Sequence, residues 1–336
     1  MARKPDIIGV IEAAYRVEQS EAAWLETVLD ASRPWLDRGL GVLCAIYDVS
    51  LASRPRATAC AGFDLPDTFD LDLMRGAFRS LSETSLHSLL TTSGSSVVPW
   101  ERRFSDLPEH GATASLPVVP SPFGPSDMLV INAADPTGHG CFISANHRRR
   151  HAPSRAERAL WDRLAVHFCA GLRLRRRLAS GRTRRPEAVL TPSGRVAHAE
   201  HAAQSRAARE ELRDAVIARE RARGSQRFRA PDAAVDGWKG LVAARWTLLD
   251  SFERDGKRYL LAQRNDPAVS WIETLTERER QVVAYASLGR WNKLIAYDLG
   301  IAHATVRVLL ARAAAKAGVR TRAELVARYV RDRVAR

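Results

Sequence analysis

Residues 276–318 read TERERQVVAYASLGRWNKLIAYDLGIAHATVRVLLARAAAKAG, and this stretch punctuates itself. Thr276-x-x-Glu279 is a capping-box pattern, in which a hydroxyl accepts from one orphan amide and a carboxylate reaches back to another, so a helix is expected to start there. Val282, Val283, Ala286 and Leu288 supply its apolar face, and Gly289 follows as a residue able to take the left-handed conformation that closes a helix. Asn292 is placed to cap a second helix carrying Leu294, Ile295 and Leu299, which Gly300 ends in the same way. After Gly300-Ile301-Ala302 a third helix is predicted over about 303–317. Val306, Leu309, Leu310, Ala313 and Ala317 fall in one stripe at helical period. The opposite face carries Ala304, Arg307, Val308, Ala311 and Ala315, with Arg312 and Lys316 at its edge; it is small, smooth and basic. Gly318 closes this helix, and Thr321-x-x-Glu324 starts a fourth through Leu325, Val326, Tyr329 and Val330.

Two short helices joined by a three-residue turn form a helix-turn-helix, here about 291–310, whose second helix enters the major groove while the first crosses the phosphate backbone. Small exposed residues suit that role, because a helix with its side chains nearly fills the groove. Leu275-Thr276-x-Arg278-Glu279, Gly289, Asn292-Lys293-x-Ile295-Ala296, Leu299-Gly300-Ile301, Thr305-Val306-Arg307 and Lys316-x-Gly318-Val319 together resemble the LuxR-type (GerE-like) helix-turn-helix domain. The resemblance covers residues 271–336 and implies operator binding, usually as a dimer, with the third helix reading bases. It implies that Lys293 and Thr305 contact phosphates, that Arg307, Val308 and Arg312 face the groove, and that His303, Ala304 and Lys316 complete the DNA-binding set. Four positions depart from the family's habit: Ala302 and Trp291 stand where serine is common, Leu294 replaces a usual glutamate, and Leu309 a frequent histidine. These changes leave the fold intact and make the operator unreadable from sequence.

Charge agrees with a polyanionic partner. The 336 residues hold 52 Lys+Arg against 38 Asp+Glu, a net +14 carried almost wholly by arginine, which stays ionised at physiological pH. Residues 1–146 hold 11 basic and 18 acidic groups, net −7, whereas 147–233 hold 22 and 9, net +13, and 271–336 hold 13 and 6, net +7. An acidic front and a basic rear are expected. Hydrophobic residues at 46% and charged residues at 27% are those of a globular chain, and the length suits at least two domains.

The front half reads as a helix over 7–38, strands over 39–49 and 57–62, two further strands over 126–133 and 140–145 around Asp135-Pro-Thr-Gly138, and a long amphipathic helix over 154–178. That α+β order resembles a GAF domain, a sensory fold, in pattern and without a diagnostic motif. Leu160, Trp161, Leu164, Phe168 and Leu172 form a stripe on the last helix that fits either a dimer seam or core packing. Basic runs at Arg173–Arg177 and Arg182–Arg185 read as a solvated helix end and linker, or as auxiliary DNA contacts. A middle module is suggested by strand pieces over 188–197, an Arg-Ala-rich helix over 200–223, and a hairpin over 245–263. It resembles a truncated PAS fold, or is a small linker domain.

The multidomain expectation is therefore a GAF-like α+β sensory or dimerisation domain at 1–178, a basic linker and small PAS-like module at 179–268, and an all-α four-helix LuxR-type domain at 271–336. Four cysteines, Cys44, Cys60, Cys141 and Cys169, have no metal-ligand or redox spacing, and His139 with Cys141 makes no metal site. No stretch approaches the ~18 apolar residues of a membrane span. With no phosphate-cradling glycine loop, no HExxH and no paired reactive cysteines, an enzyme is not expected, nor a metal or cofactor. The function expected is a cytoplasmic DNA-binding transcription regulator, nucleoid-associated when bound. Its partners would be double-stranded DNA, a second copy of the chain, a small-molecule or protein signal, and RNA polymerase. The alternative is a protein-interaction adaptor whose basic tail binds nucleic acid without sequence preference; selection from random duplexes separates the two.

Overall fold

A computed structural model describes residues 6–37, 40–49, 56–65, 94–99, 127–135, 138–147, 152–179, 186–238, 240–242, 246–249, 253–254, 257–264, 275–317 and 319–334. These divide into two compact units, residues 16–173 and residues 1–15 with 174–336. The Arg182–Arg185 run, Gly318 and the tip of the Asp135-Pro-Thr-Gly138 turn fall outside the described residues.

In the first unit, Ser20 caps helix α2 (Glu21–Leu36) by accepting from the Ala23 amide, which packs on strands β1 (Val42–Asp48) and β2 (Arg56–Phe63). With β3 (Gly94–Pro99), β4 (Asp127–Ala134) and β5 (His139–His147) these make an antiparallel sheet of order β2-β1-β5-β4-β3. Leu43, Ala45 and Tyr47 of β1, with Val49 just beyond it, share one apolar face with Cys60 and Phe142, while Val42, Cys44 and Ile46 between them are buried as well, so the strand is covered on both faces. Gly140 lies opposite Tyr47 in the register; a Cβ there would sit 2.3 Å from the phenol oxygen, so only glycine lets the ring cross the strand and donate to Asn132 Oδ1 at 2.9 Å. Helix α3 (Arg155–Ala179) closes the unit. Its stripe at Trp161, Leu164, Phe168 and Leu172 is buried within this chain, with Trp161 edge-on to Trp35, so core packing accounts for it.

In the second unit, strands β6 (Ala188–Leu190), β7 (Val196–Ala199), β8 (Leu241–Val242), β9 (Trp246–Leu249) and β12 (Leu260–Arg264) form another antiparallel sheet, of order β7-β6-β12-β9-β8. Glu253–Arg254 (β10) and Lys257–Arg258 (β11) make a separate two-stranded pair. Numbered within itself, each five-stranded sheet runs 2-1-5-4-3, so one topology occurs twice. Helix α4 (Arg206–Arg223) lays Ala208, Leu212, Ala215 and Val216 on the second sheet against Trp246, Leu248 and Leu260. The middle module is thus one open five-stranded sheet covered on one face by a helix.

The front helix expected over 7–38 is two helices. Helix α1 (Ile7–Ala14) is capped by Asp6 and ends at Tyr15, and it packs not with the sheet that follows it but with α5 (Pro231–Gly237) in the second unit. Arg223 reaches Glu12 at 3.0 Å and Arg227 reaches Asp6 at 2.6 Å. At the start of the Arg173–Arg177 run, Arg173 pairs with Asp135 at 2.6 Å and Arg175 is buried, so these two are not solvated.

Candidate nucleic-acid interface

Four helices complete the second unit: α6 (Glu277–Ser287), α7 (Asn292–Leu299), α8 (His303–Lys316) and α9 (Arg322–Val334). Both bonds of the expected capping box form at α6, Thr276 N–H to Glu279 Oε2 at 2.8 Å and Glu279 N–H to Thr276 Oγ1 at 3.3 Å. Thr321 and Glu324 repeat it at α9. Gly289 has φ of 73°. Gly300, at φ of 62°, donates to Tyr297 O while the Ile301 amide donates to Ala296 O at 3.0 Å, which is the Schellman closure. Across Gly300-Ile301-Ala302 the axes of α7 and α8 turn by 106°, within the range of a helix-turn-helix.

One of the two helix starts differs from expectation. Asn292 does not cap α7; Trp291 occupies the cap position, and no side chain bonds the first amides. Ala302, standing where serine is usual, begins α8 without a side-chain cap, in line with the sequence. The helix-turn-helix pair therefore opens on uncapped N-termini, while its supporting helices are boxed.

Val306, Leu309, Leu310 and Ala313 are buried as the stripe required, and Ala317 is half-buried at the helix end. Packing of α8 against α6 and α7 buries that stripe and turns the other face outward. His303, Ala304, Arg307, Val308, Ala311, Arg312 and Ala315 are exposed, and Thr305 is half-buried. Val308, a large apolar side chain, is 49% exposed. Lys293 is exposed on the first turn of α7. Among the described residues Lys293, Arg307 and Arg312 form no ion pair. Lys316 is different: its Nζ lies 2.6 Å from Glu279 Oε2. Burial pushes the Glu279 carboxyl up, but the hydrogen bonds from Lys316 and Thr276 outweigh it and hold the group below the usual carboxylate value.

Between the α6–α7 turn and α7 lies a buried pair that sequence reasoning missed. Arg290 donates to Asp298, both side chains fully buried, and the guanidinium stacks 4.7 Å from the centre of the Tyr285 ring. Arg322 donates in turn to the Arg290 carbonyl. The signal available was weak: Asp298 interrupts an otherwise apolar helix face, and Arg290 follows a helix-closing glycine. Trp291, a departure from the family pattern, is 43% exposed. Tyr297 donates to Val235 O at 2.7 Å, tying α7 to α5.

No metal cluster arises among the described residues. His139 pairs with Asp48 at 3.1 Å, and burial drives the Cys141 thiol well above its ordinary value. No single described helix is long and apolar enough to cross a membrane.

A turn-linked helix pair with a basic outer face on a boxed support is a helix-turn-helix DNA-binding domain. Residues 273–329 match the family model described as "GerE: Bacterial regulatory proteins, luxR family", so this segment is a LuxR-family helix-turn-helix domain, which supports a DNA-binding transcription regulator. No curated protein matches the chain. Among solved structures, one similar chain is that of "Crystal structure of Escherichia coli SdiA in the space group P6522", 12% identical over 93% of this chain and 91% of that one, at a TM-score of 0.28. That score is too low to transfer anything to this chain.

Proposed function

We propose that the protein is a sequence-specific transcription regulator in which α8 lies in the major groove. His303, Ala304, Arg307, Val308 and Arg312 face base edges, with Arg307 the base-reading guanidinium. Lys293 and Thr305 hold phosphates, and the uncapped amides at the starts of α7 and α8 add donors aimed at anions. Lys316 enters this reading with its charge already shared with Glu279. One observation carries the proposal: Arg307 and Val308 stand out from a helix whose other side is the domain's core.

The two sheets of equal strand order are read as a GAF-like and a PAS-like module that receive a small-molecule or protein signal or pair with a second copy. The regulator acts in the cytoplasm, on DNA, with RNA polymerase as the machinery it influences.

Selection of the full chain on random duplexes tests the proposal. A common enriched sequence is expected, with affinity falling steeply as salt rises because each phosphate contact releases counterions. Salt-dependent binding with no enriched sequence would instead identify an adaptor with a nonspecific basic tail.

A further inference from the structure

The arginines of α4 fall into two groups. In its second half Arg219 is fully buried, donating to Leu248 O at 3.2 Å and stacking 4.7 Å from the centre of the Trp238 ring. Arg223 pairs with Glu12. These cations serve the fold. In the first half Arg206, Arg209 and Arg213 recur at helical spacing and are all exposed. They line an open groove of about 530 Å³ between α4 and the β6–β7 turn, which contributes Gly194 and Arg195.

The groove is built rather than incidental. Gly194 sits at φ of 81°, and a Cβ there would meet Arg213 Cγ at 2.7 Å, so the turn backbone and the Arg213 stem define the wall together. Glu210, which also lines the groove, pairs with Arg206 at 2.9 Å on the solvent-exposed helix surface. Among the described residues Arg195 and Arg209 have no ion pair. Arg213 pairs only with its neighbour Asp214, at 3.6 Å and with both side chains more than half exposed, a contact worth little. Four arginines against one carboxylate thus line a space of small-molecule size.

We propose that this groove binds a small molecule bearing a diphosphate group. Guanidinium forks match phosphate oxygens bidentately, and four of them arranged around a concavity exceed what a single carboxylate or monophosphate can occupy. Walls on both sides, a helix and a tight turn, favour a compact anion that descends between them over the convex backbone of a duplex. This site is separate from the α8 face, and the DNA-binding reading stands or falls on Arg307 without it.

Calorimetric titration of the full chain with inorganic pyrophosphate at constant ionic strength tests the proposal, with orthophosphate and a duplex as parallel arms. Saturable pyrophosphate binding is expected, tighter than orthophosphate. The Arg209→Ala/Arg213→Ala double variant should weaken it by at least about tenfold while leaving duplex affinity unchanged. The Arg209→Lys/Arg213→Lys variant, which keeps the charge and loses the forks, should also bind more weakly than the parent. Absence of saturable pyrophosphate binding overturns the proposal, as does equal affinity in the double variant. A double variant that loses duplex affinity and keeps pyrophosphate binding also overturns it, and assigns the groove to the DNA backbone. If melting curves show the double variant misfolded, Arg195→Ala on the turn is judged by the same criteria.

Discussion

Within the C-terminal domain, α6 and α9 contrast with α7 and α8. The first pair begins with reciprocal capping boxes, and α6 reaches across to Lys316 through Glu279. The second pair begins at Trp291 and Ala302 with no side chain on the leading amides, and turns Arg307 and Val308 to solvent. Local satisfaction and outward exposure are thus divided between helices of one small bundle. A domain that only had to fold would gain by capping all four, because an uncapped start forgoes about 1 kcal/mol. The difference teaches that stability resides in the support and that the outward pair keeps its donors available.

The largest effect that could break this contrast comes from the buried pair. Asp298→Ala leaves Arg290 charged and buried without its carboxylate, and removing one partner of such a pair costs about 3–5 kcal/mol. Denaturant unfolding of the full chain should show the loss; an unchanged midpoint would mean the pair is dispensable. Arg307→Ala should cost about 1–3 kcal/mol of discrimination at one base pair and leave the melting temperature alone. A uniform loss across sequences would move Arg307 to the backbone, and a falling melting temperature would make it structural. Thr276→Ala should destabilise the domain by about 1 kcal/mol without altering sequence preference, and a changed preference would contradict the division of labour.

The pH dependence sharpens the same point. Glu279 is held below its ordinary value, so its contribution is fully present above the unfolded pKa of about 4.3 and is lost as pH falls toward the folded value. Melting curves from pH 6 downward should therefore converge for the parent and Glu279→Gln; parallel curves would show that the carboxylate is not coupled to folding. The smallest expected effect is that of Ala302→Ser, which should raise stability by roughly 0.5–1 kcal/mol. No change would mean that other groups already satisfy the first amides of α8.

The C-terminal domain was largely legible before its structure. Thr276, Glu279, Gly289, Gly300 and Thr321 act within three to five residues of themselves, so the local pattern carries their meaning, and the exposed set around Arg307 followed from period alone. Asn292 misled because an asparagine one residue inside a helix looks the same in sequence as one at its cap. In the front half, Val42–Asp48 and His139–His147 were visible as apolar runs, but β3 was not, since Gly94-Ser-Ser-Val-Val-Pro99 offers too short a run to separate from a loop. The break after Ala14 escaped notice because the residues on either side both favour helix.

Sequence by itself determined where the C-terminal helices start and stop, which side of α8 is apolar, and that arginine gives the rear of the chain its surplus charge. Tertiary structure alone decided which of those arginines are spoken for: Arg290 by Asp298, Arg223 by Glu12, and Arg173 by Asp135, against Arg307, Arg195 and Arg209, which make no ion pair among the described residues. It also decided that α1 joins α5, more than two hundred residues away in the chain. The physical reason is range. Caps, glycine closures and helical period are settled between neighbours, whereas an ion pair or a docked helix depends on which distant segments the fold brings together, and a guanidinium looks the same in sequence whether it meets a carboxylate or water.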